Sequence, residues 1–120
     1  MTIKNCYDEL GLDFDAVKER LLSEDRVARY AVKFIDNPDF PDLEAALIAE
    51  DWNKAFEAAH TLKGVALNLG FDRLSEIDSE LTEILRPRSV SDNNAMIRKF
   101  NEVRDEYNRI IKALEIFKNS

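Results

Sequence analysis

Residues 52–70, WNKAFEAAHTLKGVALNLG, carry the clearest structural pattern in this chain. The apolar residues of this stretch recur at steps of three and four, the spacing of one face of an amphipathic helix. At about 100° per residue these side chains cluster around one direction of the helix. His60, the only histidine, lies roughly 130° from the middle of this apolar stripe and should face solvent. Lys63 and Gly64 follow one turn later on the same flank. An exposed imidazole with a cation and a glycine on the same flank of the helix predicts a functional site. The predicted apolar stripe consists of Trp52, Ala55, Phe56, Ala59, Leu62, Ala66 and Leu69.

Helical periodicity continues on both sides of this stretch. No segment alternates apolar and polar residues as a half-buried strand does, and three glycines and three prolines in 120 residues favour helices. We therefore predict an all-α fold, an antiparallel four-helix bundle with short additional N-terminal helices, in a single domain spanning residues 1–120. The four bundle helices are expected at residues 24–36, 52–69, 72–86 and in a long last helix, with residues 42–49 covering one end. The expected seam of the last helix consists of Ile97, Phe100, Val103, Tyr107, Ile110, Leu114 and Phe117.

Composition excludes several classes of function. A net charge of −7 argues against binding to nucleic acid, which needs cationic contacts with phosphates, and against an anionic membrane surface. Cys6 is the sole cysteine, so no intramolecular disulfide can form, and we expect it to pack as a partly buried small hydrophobe. The N-terminus lacks the apolar run of a signal peptide, and no stretch approaches the ~20 apolar residues of a membrane span. We expect a cytoplasmic monomer.

The pattern Ala59-His60-x-Leu62-Lys63-Gly64, followed by Gly70, resembles the histidine-containing phosphotransfer (HPt) domain family. The resemblance implies a helical bundle that accepts a phosphoryl group from the aspartyl phosphate of a response-regulator receiver domain and passes it to another. It implies that receiver domains and a hybrid sensor histidine kinase are the partners. It also implies a phosphocarrier without kinase activity of its own, with no cofactor or metal here, because the Mg²⁺ belongs to the receiver domain.

The resemblance also assigns roles to residues. His60 would be the phosphoacceptor, and Lys63 and Gly64 its supporting residues. An ammonium at Lys63 can stabilise charge on the phosphoryl oxygens, and a missing Cβ at Gly64 lets a partner backbone come close. One departure concerns Thr82, since many family members have Glu or Gln at this position, where it can orient the imidazole. Thr82 is shorter, so no role is carried over to it.

Leu67 and Phe56 lie on the edge between the His60 flank and the core, and we expect them to form an apolar collar against a docked receiver domain. Three alternatives stay open. The chain could be a docking module that binds receiver domains without carrying phosphate. It could be a hydrolase or metal site that uses Cys6 or acidic clusters with His60. Gly64 could instead mark a close contact between helices.

Overall fold

The protein is described by a computed structural model that covers all 120 residues. It is all-helical, as predicted, and measures 44 × 25 × 20 Å along its principal axes. No helix is both long and apolar enough to cross a membrane. The helices are α1 (Ile3–Glu9), α2 (Phe14–Leu21), α3 (Glu24–Lys33), α4 (Asp39–Ile48), α5 (Trp52–Asn68), α6 (Asp72–Leu85) and α7 (Asn93–Lys118), with a 3₁₀ turn at Phe34–Asp36.

Helices α4 to α7 form a four-helix bundle. Helix α5 lies between α4 and α6, and α6 packs in turn on α7. The ring of Phe40 on α4 stacks on Tyr107 of α7 with centroids 4.1 Å apart and on Phe100 at 5.7 Å, which brings the first and last helices of the bundle together. Because only short turns join α4 to α5 and α5 to α6, these neighbours run antiparallel.

The expectation that residues 24–36 supply the fourth bundle helix is wrong. Helix α3 ends at Lys33 and packs on α1, α2 and α7, whereas α4 packs along α5. Helix α4 is long enough for this role because it begins at Asp39, three residues before the expected start, with its first amide donating to Asn37 Oδ1 at 2.9 Å. The buried face of α4 consists of Phe40, Leu43 and Ala46.

The short N-terminal helices that the sequence predicts close one end of the bundle, but no helix was expected over the residues of α1. A capping box between Thr2 and Asn5 starts α1, and its buried face includes Cys6 and Tyr7. Tyr7 Oη donates a hydrogen bond of 2.6 Å to the carbonyl of Leu69, which ties α1 to the end of α5. Cys6 is fully rather than partly buried, and burial raises the pKa of its thiol to about 11.

Helix α7 buries most of the predicted seam but with one difference at its start. Met96 is buried, whereas Ile97 is half exposed, so Met96 and not Ile97 faces the core in the first turn of α7. Further along the helix, Glu106 is almost fully buried and accepts two hydrogen bonds of 2.9 Å from Arg109. This ion pair lets a carboxylate lie in the bundle without an unpaired charge.

Candidate functional site

The site is built on α5, whose ends are fixed by its own sequence. Asp51 caps the N-terminus by accepting a hydrogen bond from the amide of Lys54 at 3.2 Å. The helix ends before Gly70, whose φ of 76° is a left-handed conformation that glycine adopts without strain. Between these ends the predicted stripe is buried, except that Trp52 is only half-buried. The opposite face of α5 is therefore presented to solvent.

His60 lies on this exposed face, so the exposure predicted from the helical spacing is confirmed. Its imidazole stacks on the ring of Phe56 one turn earlier, with the two planes inclined by 10° and the centroids 5.9 Å apart. This contact gives the imidazole a fixed neighbour on one side, while the side chain stays accessible. The role of His60 as phosphoacceptor stays a prediction.

Lys63 and Gly64 lie where the spacing places them, one turn after His60. Lys63 is half-buried, as expected for a long stem that packs along the helix surface. Gly64 is exposed, and a Cβ built on it meets no atom within 4 Å. The alternative that Gly64 marks a close contact between helices is therefore wrong. The open space leaves room for a partner to approach α5.

The two residues of the expected apolar collar differ in their exposure to solvent. Leu67 is 52% exposed and can contact a docked partner. Phe56 is only 9% exposed, because it belongs to the hydrophobic core and supports His60 from below. The carbonyls of Leu67 and Asn68 each accept a hydrogen bond of 2.9 Å from Arg20 of α2, which fixes the last turn of α5.

Two arginines beside the site were missed by sequence reasoning. Arg86 and Arg88 follow α6, and their guanidinium carbons lie 5.3 and 3.6 Å from the centroid of the Phe56 ring. The sequence places both arginines in the loop after α6. Helical periodicity, however, predicts the orientation of side chains only within helices and not in loops. Phe56 therefore touches two cations as well as the imidazole of His60.

A buried carboxyl group under the site was also missed. Asp78 of α6 is 0% exposed, and neither of its carboxylate oxygens has a hydrogen-bond partner in the protein. Burial raises its pKa to about 8; the charge of Lys63 opposes this shift, the like charge of Asp39 adds to it, and the nearby backbone of Lys63 opposes it further. One signal was available, since Asp78 occupies a position on the apolar stripe between Leu74 and Leu81.

Thr82 lies one turn after Asp78 and is also buried, at 1% exposed. Its hydroxyl donates a hydrogen bond of 2.8 Å to the backbone carbonyl of Asp78. The hydroxyl is therefore engaged within α6.

The rival chemistry based on Cys6 finds no support in the geometry. The thiol is fully buried, and its raised pKa keeps it protonated at neutral pH, whereas nucleophilic catalysis needs an accessible thiolate. No group of three or more His, Cys, Asp or Glu side chains is arranged to hold a metal ion. The exposed face of α5 is the best candidate site.

A family model described as the Hpt domain matches residues 37–113, which include α4 to α6 and most of α7. The chain belongs to the Hpt domain family. Hpt domains are phosphotransfer modules of two-component signalling, and they act as phosphocarriers rather than enzymes. Searches of curated proteins and of solved structures gave no match. The matched region contains most of the buried residues of α4 to α7 and every candidate site residue of this Hpt domain.

Proposed function

We propose that this Hpt domain carries a phosphoryl group on His60, accepting it from the aspartyl phosphate of one receiver domain and passing it to another. The observation that carries the proposal is the exposed face of α5, where the single histidine stacks on Phe56 beside the open space at Gly64. Receiver domains, including that of a hybrid sensor histidine kinase, are the proposed partners.

The chemistry is an in-line displacement at phosphorus. The lone pair of a neutral imidazole nitrogen of His60 forms the N–P bond while the P–O bond to the aspartyl carboxylate breaks, and the carboxylate leaves with the electron pair. Negative charge is spread over the equatorial phosphoryl oxygens during transfer. The ammonium of Lys63, one turn along α5, is the proposed charge stabiliser. We place the metal ion of the reaction in the receiver domain and the protein in the cytoplasm.

The N-terminal helices belong to the same working unit in this proposal, although the family match begins at residue 37. Tyr7 bonds to the carbonyl of Leu69, and Arg109 of α7 donates a hydrogen bond of 3.2 Å to the carbonyl of Leu10. These bonds link the first helix to the ends of α5 and α7, so residues 1–120 are proposed to act as one domain.

The test is incubation with a receiver domain that carries labelled phosphate. The wild-type protein should gain acid-labile label, as expected for a phosphoramidate bond. His60→Gln should fold and melt like the wild type, because the site is exposed, and should gain none. Thr61→Ala, at an exposed neighbouring position, serves as the control and should still gain label. Label on His60→Gln would refute the assignment, and binding of the receiver domain without label would favour the docking module.

A further inference from the structure

We propose that Arg88 is a second cationic contact of the phosphoryl group carried by His60, in addition to Lys63. The inference rests on the proposed function of His60. It concerns a residue outside the His60 motif, in the loop that joins α6 to α7. The observations that carry it are the position of the guanidinium, the backbone that holds it there and the charges around it.

The guanidinium and the imidazole share one aromatic ring. The Arg88 Cζ atom lies 3.6 Å from the centroid of Phe56, and the same ring stacks on His60 with centroids 5.9 Å apart. The cation and the imidazole are therefore both neighbours of Phe56. A phosphoryl group on His60 extends beyond the imidazole, and the long side chain of Arg88 can turn from the ring toward it.

The loop backbone holds Arg88 in this position. Its φ of 57° lies in the left-handed region, which is unfavourable for a residue with a side chain. The amide of Arg88 donates to the carbonyl of Leu85 at 2.9 Å, and its Nη1 donates to the carbonyl of Arg86 at 2.7 Å. These two bonds fold the loop back over the end of α6. The guanidinium of this exposed side chain consequently lies over the ring of Phe56.

The charges around the ring distinguish Arg88 from its neighbour. Arg86 forms two hydrogen bonds to Glu83, at 2.7 and 3.0 Å, so its charge is already paired. The bonds of the Arg88 guanidinium go to a carbonyl oxygen, which leaves its charge without a carboxylate partner. In a protein with a net charge of −7, an unpaired cation beside the proposed phosphoacceptor is well suited to bind an anion. Arginine binds phosphate oxygens through two parallel N–H donors.

The test measures the equilibrium constant for phosphoryl transfer from a receiver domain that labels the wild-type protein. This constant compares free phosphorylated and free unphosphorylated proteins, so contacts between the docked partners cancel. Arg88→Gln should shift the equilibrium away from His60 by about threefold to tenfold, since an exposed charge contact is partly screened. The shift should shrink as salt is raised, and Arg88→Lys should restore part of it.

Arg29→Gln is the matched control, because Arg29 also lies over an aromatic ring, 5.6 Å from the centroid of Tyr30, but on α3, away from α5. It should leave the equilibrium unchanged. An unchanged equilibrium for Arg88→Gln would overturn the inference. A lower melting temperature with that unchanged equilibrium would indicate a purely structural role, and slower transfer with it would indicate a role in docking. Failure of the wild type to gain label would instead refute the proposed function itself.

Discussion

Replacing Asp78 with asparagine should make the protein more stable at neutral pH and should change how stability depends on pH. The carboxyl group is fully buried without a hydrogen-bond partner, and its pKa is raised from 3.8 to about 8, mainly by burial. In the unfolded chain the group is ionised at pH 7, whereas in the folded protein it is protonated. Folding at pH 7 therefore requires uptake of one proton.

The free-energy cost of protonating Asp78 on folding depends on how far the pH lies above its pKa in the unfolded chain. Each pH unit adds about 1.4 kcal/mol to this cost. Proton uptake by Asp78 costs about 4 kcal/mol at pH 7 and about 2 kcal/mol at pH 5. Asp78 binds more protons in the folded state in this range, so its contribution to the stability of the wild type falls as pH rises from about 4 to 8. A buried amide and a buried neutral carboxylic acid carry similar desolvation costs, so Asp78→Asn should gain most of this difference.

Urea denaturation of both proteins at pH 5, 6, 7 and 8 measures the gain. The difference between their free energies of unfolding should grow by roughly 2–3 kcal/mol from pH 5 to 7, and titrating groups that do not interact with Asp78 cancel in that difference. Glu106→Gln is the control, since this buried carboxylate is paired with Arg109 and its loss should destabilise the fold. Parallel curves for the wild type and Asp78→Asn would refute the reasoning.

Two glycines should respond in opposite ways to substitution. Gly64→Gln should leave the melting temperature unchanged or raise it, because glutamine is the better helix former by up to about 1 kcal/mol and a Cβ meets open space. It should sharply slow transfer from a phosphorylated receiver domain, and an unchanged transfer rate would contradict the role in close approach. Gly70→Ala should destabilise the fold by roughly 1–3 kcal/mol or more, since the residue has a φ of 76° and a Cβ would collide with the side chain of Val17. Gly11→Ala, with a φ of 72° but open space, is the control and should cost less in chemical denaturation.

The sequence was sufficient to predict the helical class and the buried face of α5, because the apolar spacing of residues 52–69 fixes one direction. It was not sufficient to choose between α3 and α4 as the fourth bundle helix. Both show an apolar face, and periodicity does not say which neighbour that face contacts. Helix α1 could have been found, since Thr2 and Asn5 form a capping box and its apolar residues are spaced by three and four.

The candidate site was predictable where it depends on helix geometry. The exposure of His60 and Gly64 follows from their angle to the stripe, while the burial of Phe56 shows that a residue at the edge of a stripe can fall on either side. Arg88 was beyond the reach of such reasoning, because its direction depends on a left-handed backbone conformation in a loop. Asp78 could have been noticed as a charged residue in an apolar position, although its environment could not.

Asp78 and Arg88 are both locally unfavourable, one through an unpaired buried carboxyl group and the other through its backbone conformation. Such features persist when the surrounding structure stabilises them, and they occur preferentially at functional sites. Both adjoin residues of the proposed phosphoryl site, since Lys63 is the largest opposite charge acting on Asp78 and Phe56 lies under both Arg88 and His60. If Asp78→Asn gains stability but transfers phosphate more slowly, the carboxyl group that destabilises the fold also supports the role of Lys63 in transfer. If it gains stability and transfers at the wild-type rate, Asp78 is a defect in core packing alone.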